Sequence, residues 1–239
     1  MLFLVLVFVA GILSGATAAI AGFGIGSILT PLFISRLGGS LAVAAVSIPH
    51  AIATAVRCWR LRRAISWPVV RSFGVLSAVG GLIGALLYAR VGSRALEITL
   101  GVLLVATSVA AITDWTRKWK PSGIVAQTLG FLSGLLGGIA GNQGGLRAGA
   151  LLIFALKPAE FVATSTAVGL AVDAARMPIY VWRAGPELLT VLAPIGVATA
   201  GVLIGTLFGE RLLFGLPPER FRRVVGLLIG VLGLWLILK

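Results

Sequence analysis

Several residue types that carry chemistry are scarce in this chain of 239 residues, which has one histidine, one cysteine and seven acidic residues. A single cysteine, Cys58, excludes an internal disulfide, and no thiol motif surrounds it. One histidine cannot build a multi-histidine metal centre, and neither a Ser-His-Asp arrangement nor an HExxH motif is found. These absences argue against an enzyme, and we predict no metal site and no cofactor.

Charge is scarce as well, at 11% of residues, whereas 59% are hydrophobic and the mean hydropathy is +1.08. Several apolar runs exceed the roughly 20 residues that a membrane-spanning helix needs. The runs lack the alternating pattern of barrel strands, so the sequence predicts an all-α integral membrane protein in contact with a lipid bilayer.

The net charge of +13 comes from basic residues in short clusters between the apolar runs. Such placement is typical of residues that set membrane topology and argues against a nucleic-acid partner. We predict that the cluster of Arg57, Arg60, Arg62 and Arg63 is solvated and has no substrate role. A second group, which we predict to lie at the membrane interface, comprises Pro178, Tyr180, Trp182 and Arg183.

The two halves of the chain resemble each other. The aligned stretches are 8–18 with 131–141, 22–29 with 145–152, 45–60 with 163–178, 80–90 with 201–211 and 100–112 with 225–237. We predict repeat one at about 1–113, a linker at 114–122 and repeat two at about 123–239. Because the N-terminal run belongs to this duplication, we do not interpret it as a cleaved signal peptide.

The repeats favour an inverted arrangement. Residues 2–35 are too long for one straight crossing, so we predict that each repeat starts with a Gly-broken helix or re-entrant hairpin, followed by three transmembrane helices. Three crossings per half invert the second half. Loops 57–71, 114–122, 157–160 and 209–223 then share one side with thirteen Lys or Arg residues, against six on the other.

Both breaks are rich in glycine, with Gly22, Gly24 and Gly26 in the first repeat and Gly144 and Gly145 in the second. The free N–H groups at the start of an interrupted helix favour an anion, and glycine lets a ligand approach the backbone. Two such breaks can enclose one midplane site. The alternative is that these glycines serve close helix packing, which we favour for the stretches at 80–84 and 201–205.

The stretch "GFGIGSILTPLF" at 22–33 resembles the Gly-rich signature of the TauE/SafE sulfite exporter family, and the duplicated apolar layout is similar to it over the whole chain. The resemblance implies a transporter of sulfite, sulfonates or related sulfur-containing anions in the bacterial inner membrane. The second copy, "GNQGGLRAGALLIF" at 141–154, adds Asn142, Gln143 and Arg147.

Arg147 lies within an apolar run, where an arginine should face the bundle interior, a cavity or a partner. Its guanidinium matches an oxyanion, so we predict substrate coordination, with Asn142 and Gln143 as neutral donors. Two alternatives stay open. Arg147 can form a structural ion pair with Asp173, or its side chain can extend to the membrane interface.

Asp173 and His50 are the candidate coupling residues. A carboxylate in a low-dielectric site can carry a proton as the protein reorients, and a membrane histidine can relay one. Ser47 and Ser165 occupy equivalent repeat positions and can bind a polar ligand, although Ser and Thr at such places, including Thr54, Thr164 and Thr166, commonly bridge helices.

The sequence leaves several alternatives open. A membrane-embedded enzyme or a scaffold protein competes with a transporter, and within transport a carrier competes with an anion channel. The ligand, the coupling ion and the formation of a homodimer are likewise open, and no Walker motif suggests a built-in ATPase.

Overall fold

The computed structural model describes residues 1–37, 39–87, 98, 101–102, 104–106, 108–109, 112–113, 123–139, 144–154, 156–213 and 217–238. Within those residues the regular structure is helical, which confirms the predicted all-α class. The main helices are α1 (Leu2–Ala21), α2 (Ile25–Leu37), α3 (Gly39–Leu61), α4 (Trp67–Leu87), α5 (Gly123–Ile139), α6 (Gly144–Leu151), α7 (Pro158–Ala184), α8 (Leu192–Leu213) and α9 (Pro218–Leu238). The predicted linker at 114–122 lies outside the described residues.

Four helical stretches are long and apolar enough to cross a membrane, namely Leu2–Ala21, Leu41–Ala64, Trp67–Leu87 and Pro158–Arg211. Many large apolar side chains on these stretches face outward, among them Leu13, Val79 and Leu207. An apolar exterior of this kind suits lipid contact rather than water. The protein is an integral membrane protein, as its composition predicts.

The first element is a helical hairpin rather than one straight helix. Helix α1 ends where Gly22 adopts a left-handed conformation (φ 77°), Gly24 follows with φ 136°, and α2 starts at Ile25. Phe3, at the start of α1, contacts Phe33, near the end of α2, with ring centroids 6.0 Å apart. The two helices therefore run in opposite directions, and the glycine break forms the tip of the hairpin.

Glycines bring two pairs of helices into close backbone contact. A Cβ at Gly15 of α1 would lie 2.2 Å from the carbonyl oxygen of Val202 in α8. A Cβ at Gly134 of α5 would lie 2.1 Å from the carbonyl oxygen of Ser77 in α4. Small residues permit such approach in membranes. The contacts advance along both helices together, so α1 runs parallel to α8 and α4 parallel to α5. The predicted packing role of 80–84 and 201–205 is confirmed, because Gly80, Gly84, Gly201 and Gly205 all lie in these contacts.

Helices α3 and α7 cross in opposite directions at the centre of the molecule. His50 of α3 contacts Asp173 of α7, and Arg57, two turns further along α3, contacts Thr166, two turns earlier in α7. Most of the buried charged side chains lie on these two helices. Their crossing therefore determines where polar chemistry can occur.

Candidate functional site

The glycine break of the first hairpin is tied to α7 by a serine. Ser165 donates a hydrogen bond from Oγ to the carbonyl oxygen of Gly22 over 3.1 Å. Two features require a glycine at position 22. Its φ of 77° is unfavourable for residues with a side chain, and a Cβ would lie only 3.0 Å from Ser165 Oγ. The same serine hydroxyl also accepts a hydrogen bond from Arg147.

Arg147 of α6 is 3% exposed, and its Nε donates to Ser165 Oγ over 3.2 Å. Its guanidinium lies against Gly169 of α7, where a methyl group would stand 3.0–3.1 Å from Nη1, Nη2 and Cζ. Neither terminal nitrogen donates a hydrogen bond to the part of the chain that the structure describes. The charge is therefore buried beside a neutral hydroxyl.

The start of α6, which follows the second predicted break, lies against the first break. A Cβ at Gly144, the first residue of α6, would lie 2.8 Å from Cβ of Phe23, which sits between Gly22 and Gly24. The start of α6 thus contacts the tip of the first hairpin. Asn142 and Gln143, predicted as neutral donors, lie outside the described residues.

The remaining predicted binding residues have more local roles. Gly24 adopts φ 136° and faces Thr17, whereas Gly145 faces the side chains of Leu232 and Leu104. Gly26 lies in the first turn of α2 and is partly buried. Ser47 donates to the carbonyl oxygen of Ala44 in its own helix over 2.7 Å. Although Ser47 aligns with Ser165, only Ser165 contacts Arg147.

Asp173 has partners other than the one that the sequence suggested. Its Oδ1 accepts hydrogen bonds from Nη2 of Arg176 at 2.9 Å and from Nε of Arg176 at 3.2 Å. Its Oδ2 lies 2.5 Å from Nδ1 of His50. Arg147 and Asp173 make no direct ion pair in the structure, although their charges are close enough to attract each other. Asp173 is also not an isolated carboxylate, because a guanidinium one helical turn away stabilises its charge.

Arg57 corrects a second prediction. It is 1% exposed rather than solvated, and its Nε donates to Oγ1 of Thr166 over 2.9 Å. Its neighbour Arg60 donates from Nε to Oε2 of Glu210 over 2.6 Å. Glu210 was expected in a loop, yet it lies in α8 and is 4% exposed. The predicted cluster is therefore divided. Arg57 points into the protein, whereas Arg62 and Arg63 are exposed.

Sequence reasoning missed Arg176 and misplaced Tyr180, which is buried rather than interfacial. The spacing of Asp173 and Arg176, three residues apart in one apolar helix, is a signal that could have predicted their ion pair. Trp182 remains 82% exposed. Thr164 accepts a hydrogen bond from the backbone N–H of Ser66 over 2.9 Å, so it bridges segments as expected of a buried hydroxyl.

Comparison with known families decides the class of this protein. The model of the sulfite exporter TauE/SafE family matches residues 7–236. The chain belongs to the TauE/SafE sulfite exporter family. No curated protein and no solved structure matches it. Membership makes it a membrane transporter protein, in agreement with the helices that can span a bilayer.

Proposed function

We propose that this TauE/SafE protein is a secondary transporter that carries a small sulfur-containing oxyanion, such as sulfite or a sulfonate, across the bacterial inner membrane. The observation that carries the proposal is Arg147, a buried guanidinium whose one hydrogen bond within the described chain goes to the neutral hydroxyl of Ser165. A buried guanidinium that no carboxylate contacts directly is costly, so an anion that enters beside Arg147 is favoured.

The surroundings of Arg147 suit a small oxyanion. The guanidinium offers a planar fork of donors that matches two oxygen atoms of a sulfite or sulfonate group. Gly22 and Gly144 allow close packing here, because a Cβ at Gly22 would meet Ser165 and a Cβ at Gly144 would meet Phe23. We include Gly24, Gly26 and Gly145 as the glycines that shape these breaks, with Asn142 and Gln143 as neutral donors. The positive ends of the helix dipoles of α2 and α6, at their N-termini, also favour negative charge.

We further propose that the chain consists of two inverted repeats. Inversion requires that equivalent helices run in opposite directions, and the antiparallel crossing of α3 and α7 meets this requirement. If each first element crossed the membrane once, α3 and α7 would run the same way. The alignment of the two repeats also matches α1 with α5 and α8 with α4. The α1–α8 contact therefore corresponds to the α5–α4 contact, as expected for a pseudo-two-fold axis. Alternating access then occurs around a site near this axis.

Proton coupling through His50 and Asp173 is a separate proposal. A proton on His50 would strengthen its contact with Asp173, so protonation can favour one arrangement of α3 against α7. His50→Gln should therefore reduce the dependence of flux on a pH gradient while some downhill flux remains. Unchanged dependence on the gradient would exclude this role.

The decisive experiment measures uptake of labelled sulfite into proteoliposomes, with a small sulfonate and sulfate as comparisons. Wild type is compared with Arg147→Ala and with Arg62→Ala, which removes an exposed arginine from the outer face. We expect saturable sulfite uptake in wild type and in Arg62→Ala and its loss in folded Arg147→Ala. Equal uptake in all three would move Arg147 to a structural role, and no uptake of any sulfur anion by wild type would reject the function.

The same vesicles separate a carrier from a channel. Saturation with substrate and slow turnover indicate a carrier, whereas single-channel currents that rise linearly with voltage indicate a pore. We favour the carrier because the start of α6, with Arg147, lies against the first glycine break, as expected for a single site between two repeats.

A further inference from the structure

Two buried arginines, Arg57 and Arg147, make no ion pair with a carboxylate among the described residues. They come from different halves of the chain and contact neighbouring residues of α7. Arg147 of α6 donates to Ser165, and Arg57 of α3 donates to the next residue, Thr166. Successive residues point about 100° apart on a helix, so the guanidiniums approach α7 on neighbouring sides.

The charges around them do not balance. Among the described residues, the buried acids are Asp173 and Glu210. Asp173 is paired with Arg176, and Glu210 is paired with Arg60. The side chain of Arg60 is half exposed, so the buried charges of the described residues are three arginines, Arg57, Arg147 and Arg176, against these two acids. A buried guanidinium without a directly paired carboxylate is unfavourable, and an anion that contacts both Arg57 and Arg147 would stabilise both charges.

Arg57 also has unused hydrogen-bonding capacity. Its Nη1 and the hydroxyl of Thr54, one turn earlier on the same face of α3, are both buried and make no hydrogen bond within the described residues. Most buried polar atoms in folded proteins have a partner. A donor and a hydroxyl without one, next to an unpaired charge, are what an oxyanion would satisfy.

We propose that Arg57 is a second cationic residue of the anion site, and that Arg57 and Arg147 together select a doubly charged oxyanion over a singly charged one. The proposal rests on the transport function proposed above and specifies the charge class of its substrate. In a low-dielectric interior the attraction between Arg57 and an anion scales with the charge of the anion. Sulfite as the dianion, or another small dianion, fits this site better than an organic sulfonate.

Sulfate and methanesulfonate test this proposal, because they are similar in shape and differ by one charge. Each competes with labelled sulfite in proteoliposomes that contain wild type, Arg57→Gln or Arg62→Gln. Arg62 is a suitable control, because its side chain is exposed and contacts Trp59 rather than the interior. We expect sulfate to compete better than methanesulfonate in wild type and in Arg62→Gln. In Arg57→Gln the ratio should fall by about tenfold, as loss of about 1.4 kcal/mol would give.

The outcomes separate the two proposals. If wild type takes up no sulfite, the transport function fails. If wild type takes up sulfite but Arg57→Gln keeps the wild-type ratio, only the role of Arg57 fails, and Glu210 then becomes its counter-ion. Thermal unfolding of detergent-solubilised wild type with each anion needs no variant. A larger stabilisation by sulfate supports the proposal, and equal stabilisation by methanesulfonate overturns it.

Discussion

The guanidinium of Arg147 lies flat against Gly169, one turn of helix α7 beyond Ser165. A methyl group at 169 would stand 3.0–3.1 Å from three atoms of the guanidinium, closer than a relaxed contact. Gly169 therefore leaves space for a charge that Ser165 orients. No glycine motif in the sequence identified this position, because its importance depends on a side chain from another helix.

Gly169→Ala should displace the guanidinium of Arg147 without removing its charge. We expect lower sulfite uptake, by as much as roughly 100-fold if the donors move by about 1 Å. Gly196→Ala in α8 is the matched control, because nothing lies within 4 Å of a Cβ there. Its uptake should equal that of wild type. Normal uptake by Gly169→Ala would show that the position of the guanidinium is not critical.

Asp173→Asn should destabilise the fold, since it leaves the guanidinium of Arg176 buried without its carboxylate. Loss of one partner from a buried ion pair costs about 3–5 kcal/mol. Thermal unfolding in detergent measures this effect, and Glu187→Gln, which changes an exposed acid, should leave the unfolding temperature unchanged. The double variant Asp173→Asn/Arg176→Gln should recover part of the stability. Wild-type stability of the single variant would contradict the structural role of this pair.

The α1–α8 contact should tolerate no side chain at Gly15. Because the Cβ of Gly15→Ala would lie 2.2 Å from the Val202 carbonyl oxygen, the two helices must separate. Overpacking of this kind typically costs about 1–3 kcal/mol. Gly134→Ala should have a similar effect at the α5–α4 contact, where the corresponding distance is 2.1 Å. Unfolding temperatures of both variants against Gly196→Ala provide the measurement, and a neutral result would show that these contacts adjust freely.

Inversion predicts that the segments after α3 and after α7 lie on opposite sides of the membrane. In a Cys58→Ser background, Arg63→Cys and Glu187→Cys each place one thiol at an exposed position. A membrane-impermeant maleimide added outside intact cells should label Glu187→Cys, whereas Arg63→Cys should react after the membrane is opened. Labelling of both thiols from the same side would reject inversion.

Much of the fold was predictable from the sequence. The apolar runs predicted the helices, because lipid offers no partner for unpaired backbone groups, and Gly22 and Gly24 predicted the break between α1 and α2. The stretches at 80–84 and 201–205 predicted close contacts, because small residues are required where helix backbones meet. Helix pairs were less predictable. Nothing in the local pattern of α1 shows that it lies beside α8 rather than beside α4.

The candidate site was predictable only in part. An arginine in an apolar run must be buried or paired, and this general rule identified Arg147. The rule did not identify Arg57, since this residue sits in a basic cluster that resembles a surface loop.

The sequence by itself determined the membrane class, the helical secondary structure, the family and the choice of Arg147 as a candidate binding residue. These depend on local composition and short motifs. The tertiary structure decided which charges meet. It paired Asp173 with Arg176 and His50, buried Arg57 against Thr166, and placed Gly169 beneath Arg147. Partners of a buried charge come from distant parts of the chain, and only the crossing of α3, α6 and α7 brings them together.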